Sequence, residues 1–574
     1  MSNELTPLQS ALAEIDDSPP LKISRKLKDR RDQSIALVER SLLGNLSEST
    51  KQRLLGCTKA ESTGCLDRAL GAMLGLVIGD WVGAPLEFLQ AVDEPGDSRW
   101  NHDKFQVENP NTKEMERGVL QAGQFTDDTS MSLCLADSLI VCKRLDGADI
   151  RLRFWNWHAE GYNNTFRFDA QGSTNIPEIK NPRSSFGLGY NIAKSLIALD
   201  PEAEITPQFI NPGSNDSGNG GLMRLAPVPI FFATHSPEEA MDAAAMSSLT
   251  THPGVLATET ARCLAWLEHR AINSTAAARE DGARAFLLAA CDEYAEMLAK
   301  RITSMEGAGE NPEAVQGLQE LVSLLLSTKP GDGSEACWNW RSPASSFSVL
   351  RALKARGEKY NGHPVSRPYF GSYCMDALAI ALHTVAVTSS FHHAIERAVN
   401  FLGDADTVGA IAGQIAGAFY GHAAIDPRYT APIRSWDHDE IACRAILCYL
   451  LGCESKQAKA SVLEPKIEPA AENATEMKVT TKKSIGFYAK SACSFLSGVD
   501  AKPAEEGKDA VDAKPAVEHL RISGLGEAVG VAITAASQVE ASGLGCITRV
   551  QTAYPTMAGS QRGCVQIVID LKKK

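Results

Sequence analysis

The sequence predicts a multidomain protein: an all-α domain over residues 67–453, then a small α+β domain over residues 483–574. Three observations carry that reading. At 574 residues the chain is too long for one ordinary core. Alanine- and leucine-rich stretches at helical spacing fill Asp67 to Cys453, with almost no strand-like alternation. Residues 454–482 then have the aromatic-poor Ala, Glu, Lys and Pro composition of a linker, after which short apolar runs alternate with helical ones.

The bulk numbers bound the class. A content of 44% hydrophobic and 22% charged residues is that of a globular chain. The net charge of −13 argues against nucleic-acid binding by the whole chain, although a total can hide a basic module. The first twenty residues are acidic without an apolar run, so no secretory signal is expected, and no stretch reaches the ~18 uninterrupted apolar residues of a membrane span. The 14 cysteines form no Cys-x-x-Cys pair, and Cys443, Cys448 and Cys453 lack the clustering of a zinc site. Reduced thiols in an intracellular protein, cytoplasmic or nuclear, are the expectation.

Residues 1–66 read as a polar extension in which Leu21–Leu43 forms a basic amphipathic helix, more simply a solvated flank than a partner surface. Within the all-α domain the spacing predicts helices at Ser130–Leu145, Tyr190–Leu199, Glu238–Ser248, Gly254–Ala271, Ala283–Lys300, Pro312–Leu326, Cys374–Val387 and Ile441–Leu451. Two further helices step in glycine: Gly71, Gly75, Gly79 and Gly83, and again Gly409, Gly413, Gly417 and Gly421. Glycine costs about 1 kcal/mol against alanine in a helix, so the repeat needs a reason. A face without side chains lets another helix backbone come very close.

Two acidic clusters carry the chemistry. Thr126-Asp127-Asp128-Thr129 precedes a helix, where carboxylates are favoured by the dipole and can cap; yet two Asp between two Thr exceeds what a cap needs. Asp404-Ala405-Asp406-Thr407 opens the second glycine-stepped helix. Hard oxygens of this kind suit Mg²⁺, with Mn²⁺ or Ca²⁺ as alternatives, far better than zinc, and two clusters supply enough ligands for two ions. Asp80 and Glu87 lie near the end of the first glycine-stepped helix, which Pro85 closes. The loop Ser217-Gly218-Asn219-Gly220-Gly221 is able to bring backbone N–H groups to a phosphate. His252 in Leu249-Thr250-Thr251-His252-Pro253 reads more simply as a packed loop histidine.

These elements together resemble the ADP-ribosylglycohydrolase family. The likeness covers about residues 67–451 and rests on six motifs in family order. They are Asp67-Arg68-Ala69-Leu70-Gly71-Ala72, Gly79-Asp80 with Glu87, Gly123–Thr129, Gly218–Arg224, Leu249-Thr250-Thr251-His252 and Gly403–Thr407. The resemblance implies a compact all-α fold with two Mg²⁺ ions, ligated by Thr126, Asp127 and Asp128 on one side and Asp404, Asp406 and Thr407 on the other. It implies catalytic roles for Glu87, Asp127 and Asp404, and water attack on the anomeric carbon of an ADP-ribosylated protein or nucleic acid, releasing ADP-ribose. Gly187, Gly189, Gly218, Asn219, Gly220, Gly221 and His252 would line the substrate. Asp216 departs from the family pattern by placing an acid beside the phosphate loop, and about Ala308–Tyr369 matches poorly. An ADP-ribose-binding protein with little turnover is the alternative. Asp404-Ala405-Asp406-Thr407-Val408 also fits the Asp-x-Asp-x-Thr/Val motif of haloacid-dehalogenase-like phosphatases, but that fold needs a parallel sheet.

In the last segment, strands are expected at Ser484–Phe487, Leu520–Ser523, Cys546–Gln551 and Cys564–Leu571, and a helix at Ala528–Glu540. Residues 477–574 hold 13 Lys and Arg against 9 Asp and Glu, and the loop 499–518, with its near-duplicated Val-Asp-Ala-Lys-Pro-Ala, holds 3 against 6. Without that loop the segment is net basic on an otherwise acidic chain. Ser484-Ile485-Gly486 with Lys490, Leu520–Val529, Ser542-Gly543-Leu544 and Val565–Leu571 resemble an Alba domain. That implies RNA or DNA binding and dimerisation, with Lys482, Lys483, Lys490, Arg521, Arg549, Arg562 and Lys572–Lys574 as phosphate contacts. A solvated basic surface used for dimerisation alone is the alternative. The hairpin Tyr554–Arg562 makes a thin nucleic-acid arm.

Overall fold

The computed structural model describes residues 5–15, 41–61, 63–93, 120–165, 187–201, 203–210, 217–308, 312–327, 340–341, 348–356, 359–360, 363–364, 366–461, 470–501, 512–526, 528–553 and 565–574. The chain divides into two compact units, Met1–Lys456 and Gln457–Lys574.

The first unit is helical. Its described helices are α1 (Pro7–Glu14), α2 (Glu48–Ala60), α3 (Cys65–Gly83), α4 (Asp127–Cys142), α5 (Gly147–Glu160), α6 (Tyr190–Ile197) and α7 (Pro227–Phe231). They continue as α8 (Pro237–Leu249), α9 (Val255–Ile272), α10 (Ala276–Arg279), α11 (Gly282–Ala308), α12 (Pro312–Leu326) and α13 (Val349–Arg356). The unit closes with α14 (Cys374–Ala386), α15 (Phe391–Val399), α16 (Ala405–Tyr420), α17 (Pro427–Asp437) and α18 (Glu440–Ser461). The described strands here are β1 (Lys359–Tyr360) and β2 (His363–Pro364), a two-residue antiparallel hairpin. The described residues of this unit hold no parallel sheet of the kind a dehalogenase-like phosphatase requires.

The glycine-stepped helices α3 and α16 pack on each other antiparallel. A Cβ added at Gly71 would lie 2.4 Å from the Gly417 carbonyl oxygen, at Gly75 2.0 Å from that of Gly413, and at Gly79 2.0 Å from that of Gly409. In the other direction, a Cβ on Gly413 would lie 1.9 Å from the Gly75 carbonyl oxygen. Only hydrogen fits on either face. α3 is long and apolar enough to cross a bilayer, yet 89% of its most apolar window is buried inside this unit.

Residues 1–66 are more than a polar flank. Leu8, Ala11, Leu43 and Leu54 enter the main core, and the Ser41 hydroxyl bonds the buried Glu440 carboxylate, which also holds Arg444. Arg444 in turn pairs with Asp137 of α4 at 2.7 Å, both fully buried. Of the expected helix Leu21–Leu43, the described part, beginning at Ser41, is a turn, and residues 21–40 lie outside the described residues. Cys443, Cys448 and Cys453 are free thiols, as are the other cysteines described.

The second unit is a four-stranded sheet in the order β3-β4-β6-β5 with two helices. It consists of β3 (Thr475–Val479), α19 (Ile485–Ser497), β4 (His519–Leu525), α20 (Ala528–Ala541), β5 (Gly545–Ala553) and β6 (Gln566–Lys573). β3 and β4 are parallel and the other pairs antiparallel. Met477, Val479, Leu520, Ile522, Ile569 and Leu571 face Tyr488, Ala492, Leu496, Ala532 and Ala536 in its core.

Two expectations are corrected here. Ser484–Phe487 is no strand: the Ser484 hydroxyl accepts from the Phe487 N–H and caps α19. The first strand is instead Thr475–Val479, inside the stretch expected to be linker, where Met477 and Val479 point inward between exposed Glu476 and Lys478. α18 also continues to Ser461, into that same stretch.

Because the α3–α16 contact leaves no room for a methyl group, Gly413→Ala should lower stability by about 3 kcal/mol or more. Gly56→Ala, with nothing within 4 Å of the added Cβ, should raise it by roughly 0.4–1 kcal/mol. Thermal unfolding of the two variants side by side measures both.

Candidate active site

The glycine contact sets where the acids meet. Gly83, at the end of α3, lies against the backbone of Ala405 and Asp406, a Cβ there reaching 2.4 Å from the Asp406 Cα. Asp80, one turn earlier, is therefore fully buried beside the start of α16.

Asp80 caps α4 from outside that helix. Its carboxylate accepts the backbone N–H of Thr126 (3.0 Å) and Thr129 (3.0 Å) and the hydroxyls of Thr126 (2.9 Å) and Thr129 (2.6 Å). Thr126, the N-cap residue, makes no side-chain cap of its own, and neither does Asp404 at the start of α16. The capping explanation for Asp127 and Asp128 thus lapses, because a third residue does that work.

The carboxylates fall into two sets whose oxygens lie within 4.8 Å of one another: Asp80, Asp128 and Asp406, and Glu87, Asp404 and Asp406. Asp406 belongs to both. The Thr126 hydroxyl lies 2.9 Å from Asp80, 3.0 Å from Asp128 and 3.3 Å from Asp406. One hydroxyl owns one proton, so it satisfies one of these oxygens only. Asp128 Oδ1 is buried with no partner at all. Burial, reinforced by the neighbouring Asp406, Asp404, Asp127 and Asp80, pushes Glu87 up to about 11. Burial and then Asp80 push Asp127 up to about 7. Burial likewise raises Asp80, Asp128, Asp404 and Asp406, with mutual repulsion adding to it at Asp128 and Asp406. Crowded oxygens, an orphaned carboxylate oxygen and hard donors without sulfur or imidazole are what cation ligation requires.

The remaining expected residues divide. Asn219 Nδ2 donates to Asp404 Oδ2 (2.8 Å) and to the Gly371 carbonyl (3.0 Å), so Asn219 positions Asp404. Thr407 donates to Asp404 as well. Gly187, at φ +71°, lies against Asp127, where a Cβ would meet Oδ1 at 2.5 Å. The Gly189 N–H donates to the same carboxylate. Gly218 and Gly220 lie on the His252 ring, and Gly221 on Ser248. Gly187, Gly218, Gly220 and Gly221 thus serve close packing around Asp127, His252 and Ser248. Asp216 and Arg562 lie outside the described residues, as does the hairpin Tyr554–Arg562.

In the second unit Lys482, Lys483 and Lys490 are exposed around the start of α19. Arg521 is corrected as a phosphate contact: its side chain is 7% exposed and grips Asp570 at 2.6 and 2.9 Å across the β4–β6 pair. Arg549 also bonds Asp570, at 2.8 Å.

Sequence reasoning noted Asp80 but gave it no place among the ligands. The available signal was a single charged residue in the otherwise apolar, glycine-stepped run Leu70–Gly83.

With this geometry, the comparison with known proteins is decisive: the model of the family described as ADP-ribosylglycohydrolase matches residues 61–455. The chain belongs to the ADP-ribosylglycohydrolase family. It is 26% identical over 417 residues to the ADP-ribosylarginine hydrolase Tri1 of Pseudomonas putida (strain GB-1), spanning 72% of this chain and 86% of that one. The Tri1 protein of Serratia proteamaculans (strain 568) is 28% identical, over 63% of this chain and 73% of its own. The ADP-ribosylhydrolase ARH3 of Gallus gallus is 26% identical, over 63% and 88%. The family region takes in the whole acidic cluster and ends before the small sheet unit.

Asp80→Asn would turn an amide donor toward N–H and hydroxyl donors. It should weaken divalent-cation affinity by roughly 10–100-fold, the usual effect of removing an outer support of a metal site. Titration calorimetry with Mg²⁺ or Mn²⁺ tests it, and unchanged affinity would remove Asp80 from the site.

Proposed function

We propose that the first unit is a divalent-cation-dependent hydrolase that cleaves the glycosidic bond of ADP-ribosylated substrates and releases ADP-ribose. The observation that carries this reading is Asp406, shared by two carboxylate sets, in a chain of this family. Thr126, Asp127 and Asp128 from α4, and Asp404, Asp406 and Thr407 from α16, would hold two ions, with Mg²⁺ the best match and Mn²⁺ able to replace it. When bound, they would supply Lewis-acid attraction for the ribose hydroxyls and neutralise the carboxylates.

The chain's own residues do the rest. Asn219 and Thr407 fix the Asp404 carboxylate, while Gly189 and the bare Gly187 fix that of Asp127, so both are oriented before substrate arrives. Glu87 is less buried than Asp80, Asp128, Asp404 and Asp406 and follows the turn Ala84–Leu86, within the Asp404–Asp406 set. As the bond from the anomeric carbon to the leaving group breaks and that from water forms, the water's proton passes to a carboxylate. The departing group takes up a proton in exchange. Glu87 and Asp127 would exchange them.

Asp404→Ala should lower release of free ADP-ribose from a panel of defined linkages to the level left by EDTA, with the fold intact by circular dichroism. Undiminished turnover in EDTA or in the variant overturns the reading; binding of ADP-ribose without turnover supports the binding-protein alternative.

For the second unit we propose an Alba-like module that brings the enzyme to RNA or DNA. It is supported by the β-α-β-α-β-β order and by Lys482, Lys483 and Lys490 at the α19 start. Reversing these three lysines to Glu should weaken RNA or DNA binding by the full chain and flatten its salt dependence by about three units of slope at most. Fluorescence anisotropy across a salt series measures both, and an unchanged slope would leave dimerisation as the module's remaining role.

A further inference from the structure

Beside the acidic cluster stand two exposed aromatic rings that the proposed chemistry does not use. Phe88 follows Glu87 in the chain, and Tyr369 ends the short turn Arg367–Tyr369. Their ring centroids lie 5.1 Å apart with the planes tilted by 55°, and the two residues are 51% and 54% exposed. The backbone holds both at the edge of the cluster. The Phe88 N–H donates to the Gly403 carbonyl (2.8 Å), and the Gly403 N–H donates to the Leu89 carbonyl (3.0 Å). On the other side the Phe370 carbonyl accepts the Asp404 N–H at 2.9 Å.

Phe88 takes φ +60°, in the left-handed region that a bulky side chain rarely adopts, and strain of this kind collects at ligand sites. Arg367, two residues before Tyr369, spends its guanidinium on the Ala91 carbonyl at 2.9 Å. Among the described residues no cation lies over either ring. Glu87 is proposed to exchange protons beside the anomeric carbon, so a group joined to that carbon passes Glu87 and then meets the two rings. The ADP half is expected at the Gly218–Gly221 loop, whose neighbours are Asn191, His252 and Ser248 and not these rings. Aromatic faces carry negative lobes that attract guanidinium and ammonium groups, here on a chain of net charge −13. A phosphate gains nothing from such faces. Tyr369 also ends the stretch, about residues 308–369, that fits the family pattern poorly, which makes this rim a place for the chain's own selectivity.

We infer that Phe88 and Tyr369 form an acceptor subsite that takes a basic side chain next to the ADP-ribosylated residue of a polypeptide substrate. The inference rests on the hydrolase reading above and adds to it what the enzyme reads beyond the ADP-ribose. The rings act on substrate binding and not on bond breaking, so they select among acceptors through KM.

The test gives the full chain pairs of ADP-ribosylated peptides in a linkage from the panel that it hydrolyses, with Arg or Ala beside the modified residue. Wild type should favour the Arg peptide about threefold to tenfold in kcat/KM, chiefly through KM, the usual worth of a guanidinium over an aromatic face. Phe88→Leu and Tyr369→Leu keep apolar bulk without a π face and should bring that ratio close to one, whereas Tyr369→Phe should keep it. A wild type that treats the Arg and Ala peptides alike overturns the subsite, as do leucine variants that retain the full preference. Release of ADP-ribose from some member of the panel but from no peptide overturns the subsite and leaves the hydrolase reading standing. Release from no member at all removes both.

Discussion

The contact between α3 and α16 is the constraint on which the rest of the structure depends. Gly71, Gly75 and Gly79 step down one helix while Gly417, Gly413 and Gly409 step up the other, each pair in backbone-to-backbone touch. Because the helices run antiparallel, the end of α3 meets the beginning of α16, and Asp80 arrives beside Asp406. Any side chain along the seam would push the helices apart, and the first casualty would be the carboxylate set that spans them. The cost of about 1 kcal/mol per helical glycine is thus borne for position.

From that contact the site is assembled by helix starts. Asp80 reaches out of α3 to take the N–H groups of Thr126 and Thr129, and so docks the start of α4 against the α3–α16 pair. The substitution of a foreign carboxylate for the usual cap frees Asp127 and Asp128 to face inward. Asn219, anchored on the Gly371 carbonyl, then presents an amide to Asp404. Asp80, Asp127 and Asp404 are thus each held by a neighbour that belongs to another element, so their geometry is as rigid as the packing between those elements.

Much of this was legible in the residues, for physical reasons that differ by element. The glycine step and the two acidic clusters are local patterns, and both pointed to a close helix contact and to cation ligation. What Asp80 does was not legible, since its partners Thr126 and Thr129 are more than forty positions away and nothing local marks the pairing. Arg224 was passed over for a similar reason: its hydrogen-bond partners Ser247, Thr250 and Thr251 lie more than twenty positions away. Arg521 read as a free cation because the sequence does not reveal that β4 and β6 place Asp570 directly opposite it. Thr475–Val479 was missed through a choice of signal. Composition marked a linker there, although the alternation of Met477 and Val479 with charged neighbours was the stronger evidence.

Charge balance gives the acidic cluster its meaning. Six carboxyl groups, Asp80, Glu87, Asp127, Asp128, Asp404 and Asp406, gather where water is largely excluded. The starts of α4 and α16 face them, and each helix N-terminus carries roughly half a positive charge. Arg224 adds one charge, felt chiefly at Asp127. With all six ionised, about four negative charges remain uncompensated, and a buried excess of that size costs far more than folding can spare. The group must therefore keep protons, as the raised values of Glu87 and Asp127 record, or take up cations. The two divalent cations proposed above would match that deficit, and Asp406 is the carboxylate that belongs to both sets.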